Sequence, residues 1–149
     1  MAPPRRGSDT MPYTWQTTKT DWVSTDAWSV DGANRIDNNT RYLAERFSAE
    51  LGVFITLDAL TAVTRSDAAT DTMLNLFDRN LNTVKVNWLT PAGWQTLNEA
   101  WNSTPITHAE VNAWEANLQR VKDKLDIFVL TVMRVGAPLA IAGRRIGGI

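Results

Sequence analysis

Cysteine is absent from this 149-residue chain, which excludes disulfide staples, thiolate nucleophiles and Cys-ligated metals. Histidine occurs once, at His108, too few for a zinc spacing, and no Ser or Cys nucleophile context accompanies it. The chain also lacks a glycine-rich phosphate loop and a nucleophile elbow. An excess of either charge is missing: the formal net charge is −1, which predicts no broad basic surface for nucleic acid. No apolar run is long enough to span a bilayer. The most apolar stretch, Ile127 to Ala142, falls short of the ~20 residues required and contains Arg134 and Pro138. Arg5 and Arg6 are followed by no apolar h-region of the ~7–15 residues that a secretory signal needs, which predicts assembly in the cytoplasm. These absences leave no cofactor and no membrane span to expect, and point to a protein without enzymatic chemistry.

What the chain has in excess is tryptophan, seven in all: Trp15, Trp22, Trp28, Trp88, Trp94, Trp101 and Trp114. Large aromatics bury much area per residue and suit a core made of short helices and long loops. One or two could instead anchor a partner, with Trp94 and Trp101 the candidates. Residues 1–12 hold Pro, Gly, charge and small polar groups and predict a flexible arm.

A six-residue pattern of Asn, any, apolar, acid, any, Asn occurs three times: Asn34 to Asn39 with Asp37, Asn75 to Asn80 with Asp78, and Asn112 to Asn117 with Glu115. Each copy opens a stretch of helical periodicity: Ile36, Thr40, Leu43 and Phe47; Leu74, Phe77, Leu81 and Val84; Val111, Trp114, Leu118, Val121 and Leu125. Ser29, Thr70-Asp71 and the capping box Thr107-His108-Ala109-Glu110 punctuate the three starts. A further short helix is predicted from Ala92 to Trp101, after Thr90-Pro91. Lys19-Thr20-Asp21-Trp22 resembles Lys85-Val86-Asn87-Trp88, and both are read as extended segments whose Trp packs on neighbouring helices. Residues 52–63 fit a short strand or a short helix equally.

On a helical wheel the second Asn, at Asn39, Asn80 and Asn117, borders the buried stripe, where its amide can both donate to and accept from a crossing loop. The first Asn and the acid are placed in the first turn, bonding free amides. The motif therefore reads as a fastener of long loops to short helices. Catalytic or calcium-binding roles for Asp37, Asp78 and Glu115 find no support in spacing, since none stands in the dense alternation of oxygen ligands that a calcium loop requires.

Toward the C-terminus the β-branched run Ile127 to Val132 predicts that the third helix ends near Leu125 and that a strand follows, turning at Gly136-Ala137-Pro138 and returning over residues 139–142. The predicted fold is mainly α: three motif-bearing helices with long Trp-rich loops and a C-terminal strand or hairpin. Its parts are an arm at 1–12, a helical body at 13–125 and an apolar docking segment at 126–149, with Phe128, Val132, Arg144 and Arg145 as interface candidates.

The order Lys19-Thr20-Asp21-Trp22, then Asn34-Arg35-Ile36-Asp37-Asn38-Asn39, then Tyr42-Leu43 resembles a segment of tail proteins of phages and prophages of Gram-positive bacteria. It covers residues 13–47 well and 75–125 loosely, and Asp37 stands where Glu is commoner. The resemblance implies a virion component of tail, baseplate or fibre: a scaffold or adaptor whose partners are other virion proteins and copies of itself. The rival is a receptor-binding module that stacks host cell-wall saccharide on a Trp pair such as Trp94 and Trp101.

Overall fold

The structure, a computed structural model, describes residues 13–59, 70–88, 90–96, 101 and 106–134, without the side chains of 132–134. Three helices dominate: α1 at Val30–Arg46, α2 at Asp71–Val86 and α3 at His108–Arg134. No strand occurs among the described residues, and the fold is mainly α.

The helix starts follow side-chain chemistry. Ser29 Oγ accepts from the Gly32 amide, and Thr70 Oγ1 accepts from Met73. At α3, Thr107 Oγ1 bonds the Glu110 carboxylate at 2.7 Å. α1 runs on into a π-helical turn, Phe47–Leu51, which Gly52 stops in the left-handed region at φ 67°. The Val53 amide then reaches back to the Phe47 carbonyl at 3.0 Å and that of Gly52 to Ser48 at 3.3 Å, a Schellman-like closure. Arg46 grips Glu50 of this turn and Asp126 of α3. Burial pushes the Asp126 carboxyl up, but hydrogen bonds from Lys122 and Arg46, reinforced by their charges, outweigh it and hold it below the usual range.

Each helix packs against the other two. Ile36, Leu43 and Phe47 of α1, Leu74, Phe77, Leu81 and Val84 of α2, and Val111, Trp114, Leu118, Val121 and Leu125 of α3 are buried in one continuous core. Trp114, 1% exposed, is the hub. Phe77 meets it edge-on at 5.7 Å, and Trp101 and Trp28 lie tilted at 6.0 and 6.1 Å. Such offset arrangements are the favourable ones for aromatic quadrupoles.

Four expectations fail. α3 does not end near Leu125 but continues unbroken to Arg134, so the strand predicted from Ile127 is helix, and the boundary drawn after residue 125 falls inside α3. Extending a helix already nucleated adds a hydrogen bond per residue, whereas β-branched residues cost it only tenths of a kcal/mol. A strand there would also need a sheet edge, and the described residues have none. The return at 139–142, Arg144, Arg145 and the 1–12 arm lie outside the described residues.

The helix predicted from Ala92 is absent over 92–96. Ala92–Gly93 is a turn with Gly93 at φ 84°, a conformation that side chains avoid, and a Cβ there would fall 2.9 Å from Arg120 Nε. Lys85 and Val86 belong to α2 itself, so Lys85 to Trp88 is not an extended counterpart of Lys19 to Trp22. Residues 52–59 are neither strand nor helix.

Candidate functional site: three linker sockets

The described parts of the segments before α1, α2 and α3 lie against the helices, and the Asn motifs hold them. Asn39 accepts the Gln16 amide through Oδ1 at 2.9 Å and donates Nδ2 to the Gln16 carbonyl at 2.7 Å. Asn80 does the same to Asp58, at 2.7 and 3.1 Å, and Asn117 to Gln95, at 2.8 Å for both bonds. In an extended residue the N–H and C=O point the same way, so one carboxamide can pair with both, as a neighbouring strand would. Each clamped linker residue is thus bonded as a strand residue would be, with a helix side chain in place of a neighbouring strand. All three amides are buried, Asn39 and Asn117 completely.

The first Asn and the acid work as a second clamp rather than in capping free amides. Asn112 pairs with the backbone of Trp22 at 2.9 and 3.0 Å, and Glu115 Oε2 accepts the Trp22 indole N–H at 2.8 Å. Asn75 pairs with the backbone of Trp101 at 2.8 and 3.2 Å, and Asp78 Oδ2 accepts the Trp101 indole at 2.5 Å. Each acid therefore faces the interior, Glu115 fully buried and Asp78 6% exposed. A wheel with one buried face misses this, because the linkers cover the flanks of each helix too.

Together the two clamps close a cycle. The linker before α1 is held by Asn39 of α1 and by Asn112 and Glu115 of α3. The linker before α3 is held by Asn117 of α3 and by Asn75 and Asp78 of α2. The linker before α2 is held at Asp58 by Asn80 of α2. A smaller seat repeats in step: Lys122, five residues after Asn117, lies over the Trp15 ring, and Lys85, five after Asn80, over Trp94. The sequence carried this signal as Pro-x-x-Trp-Gln-Thr-x4-Trp, at Pro12 to Trp22 and again at Pro91 to Trp101.

The electrostatics of the two filled acid sockets differ. Glu115 receives a bidentate Arg35 guanidinium, at 2.7 and 2.5 Å, and the Lys19 amide at 3.0 Å besides the indole. Hydrogen bonding to Glu115 holds Arg35 above its ordinary value. Asp78 has no cation: its other oxygen takes the Trp114 indole at 2.5 Å. Burial pushes its carboxyl up to about 6 despite the two indole donors.

Of the interface candidates, Trp101 is 4% exposed and its indole is committed to Asp78, so it is closed to a sugar face. Trp94 is half-buried beneath Lys85, and Phe128 is 38% exposed, edge-on to Trp88. The Val132 side chain lies outside the described residues. His108 is exposed. Among the described residues no cluster of His, Asp and Glu is grouped to hold a metal, and no helix is long and apolar enough to cross a membrane.

Replacing Asn39 with alanine should lower stability by about 1–3 kcal/mol, the cost of stranding the Gln16 backbone groups. Aspartate there should cost more, since it keeps the acceptor, loses the donor and brings a charge into a fully buried position. Urea unfolding of both variants measures this, and an aspartate variant as stable as the native chain would refute the two-bond clamp.

No family model, curated protein or solved structure matches the chain.

Proposed function

We propose that the protein is a non-enzymatic virion component, a scaffold or adaptor in the tail, baseplate or fibre of a phage. One observation carries the reading. The side chains with the strongest chemical potential, Glu115, Asp78 and the paired asparagines, are spent on fastening the chain's own linkers. A molecule so organised is a rigid body with surfaces to offer. The Lys19 to Leu43 resemblance supplies the setting, and other virion proteins and copies of itself are the partners in this reading.

A second reading, recognition of cell-wall saccharide, has a single favourable feature. A cleft of ≈380 Å³ is bordered by Trp22, Trp28, Asp26, Thr107 and His108, a mix of aromatic faces and polar groups of the kind that grips sugars.

The test is to follow the tagged chain through density-gradient purification of the parent particles. Association with intact tails, and its loss from tail-less particles, is the expected result. A chain that stays with the soluble fraction would overturn the reading. Saccharide-dependent quenching of tryptophan fluorescence by that soluble chain would move the function to the second reading.

A further inference from the structure

Of the five arginines whose side chains are described, four give Nε to a carboxylate. Arg35 and Arg46 lay the Nε and Nη2 edge of the fork side-on along Glu115 and Glu50, while Arg41 and Arg79 give Nε to Asp37 and Asp58. Arg120 is the fifth, and no described residue accepts from it. Its Nη1 is enclosed without a partner, whereas Nε and Nη2, also unbonded, keep accessible surface. The edge that two other arginines of this chain turn to a carboxylate is therefore open on Arg120. A guanidinium cannot shed its charge, and holding one half-buried with no counter-charge costs stability.

Arg120 borders a cleft of ≈380 Å³, together with Asn112, Ala116 and Gln119 of α3, Thr20 of the linker before α1 and Gln95 of the linker before α3. The clamps fix both linkers here: Asn112 and Glu115 hold Trp22 and Lys19, and Asn117 holds Gln95. Two of the lining side chains are already committed, Asn112 to the Trp22 backbone and Gln119 to Thr18 and Asp123. The Thr20 hydroxyl and the Gln95 carboxamide bond no described residue, and both residues are exposed. Arg120 is also held in place. Gly93, at φ 84°, brings the backbone of its turn so close that a Cβ would stand 2.9 Å from Nε, so the fork is positioned before anything binds and the ordering cost of binding is reduced.

We infer that this cleft binds a carboxylate, held side-on by Nε and Nη2 of Arg120 with neutral hydrogen bonds from Thr20 and Gln95. Arg120 is the one charged residue of the lining. A single planar fork among amide and hydroxyl groups matches a planar monoanion, whereas a phosphate, which carries more than one charge near neutral pH, calls for further cations. The cleft has room for a small free acid or for the end of an acidic side chain. The inference goes beyond the proposed virion role and does not depend on it.

The test titrates two acids into the full-length 15N-labelled chain at constant ionic strength: N-acetylglycine, for a free acid, and N-acetylaspartic acid N-methylamide, for an acidic side chain. The neutral N-acetylglycinamide is titrated beside them. Saturable shifts of the Arg120 Nε–H and the Ala116 backbone amide are expected from the acids, the tighter of the two naming the source, and none from the neutral amide. Binding read at Ala116 should be at least about tenfold weaker in R120M, and also in R120K, which keeps the charge but not the fork. R120M should melt no lower than the native chain, because the guanidinium bonds nothing in the fold. The inference is overturned by shifts that grow linearly without saturating, by equal shifts from the neutral amide, by unchanged binding in R120M, or by inorganic phosphate binding more tightly than both acids. A Tm that falls in R120M and recovers in R120K also overturns it, since the charge would then serve the fold.

Discussion

The Glu115→Gln protein should be less stable than the native chain by at least about 3 kcal/mol, the scale for removing one partner of a buried ion pair. Four donors converge on this carboxylate: both faces of the Arg35 fork, the Lys19 amide and the Trp22 indole. Glutamine offers one acceptor oxygen and sets an NH2 against the remaining donors. Arg35 is not wholly enclosed, its side chain being 17% exposed, so water can solvate part of the stranded charge and the loss should stay near the lower end of the range. For a chain of this size that corresponds to a fall in Tm of roughly 6–12 °C.

The loss should also be local in its consequences. Trp22 and Lys19 hang from the same carboxylate, so the linker before α1 should open before the helices separate. Trypsin should then cut after Lys19 in Glu115→Gln under conditions where the native chain resists. Arg35→Met combined with Glu115→Gln should cost less than the sum of the single changes, because the stranded guanidinium is gone. Strict additivity, or native-like protection at Lys19, would show that the socket does not hold the linker.

The same socket illustrates how far the sequence could be read. The three helix starts and the apolar stripes were visible because capping residues and the helical period act locally, within a few residues of the helix they define. The second Asn of each motif was legible for a related reason: it borders the stripe. Glu115, Asp78 and the first asparagines were not, because a wheel assigns a helix one buried side, while these helices are wrapped by linkers distant in sequence. Trp22 is held by Asn112 from 90 residues away. The signal that could have revealed the wrapping was the doubled Trp-Gln-Thr-x4-Trp, which the Lys-x-x-Trp comparison displaced; Lys85 sits on a helix and answers Lys122, not Lys19. The run after Leu125 is helical although its composition is β-branched, because composition does not report whether a sheet edge exists to take a strand's backbone bonds, and the described residues supply none.

Asp78 shows what the same architecture does without a counter-charge, and its consequence is a stability that falls as pH rises. With the carboxyl at about 6 in the folded chain against 3.8 ordinarily, the native state holds this proton between about pH 4 and 6 while the unfolded chain has released it. The unfolded state binds fewer protons across that window, so unfolding becomes easier with each step upward. The full contribution is present below pH 3.8 and gone above about 6, a change of roughly 3 kcal/mol from the displacement of about two pKa units. Asp126, held low by Arg46 and Lys122, acts with the opposite sign, but only as pH drops below the ordinary carboxylate range. Asp78→Asn isolates the effect, because it cannot ionise. Between pH 4 and 7 the stability of the asparagine variant relative to the native chain should improve by roughly 2–3 kcal/mol, whatever its absolute cost from turning an NH2 toward an indole. Asp78→Leu should fail at every pH, since the Trp101 and Trp114 indoles then lose their acceptor at about 1–3 kcal/mol each. Because both indoles bond one carboxyl, their Nε1–H proton resonances should titrate together with a midpoint near pH 6. Resonances that stay flat from pH 4 to 7, or a constant difference between native and Asp78→Asn, would mean that the two indoles outweigh burial and keep the carboxylate charged throughout.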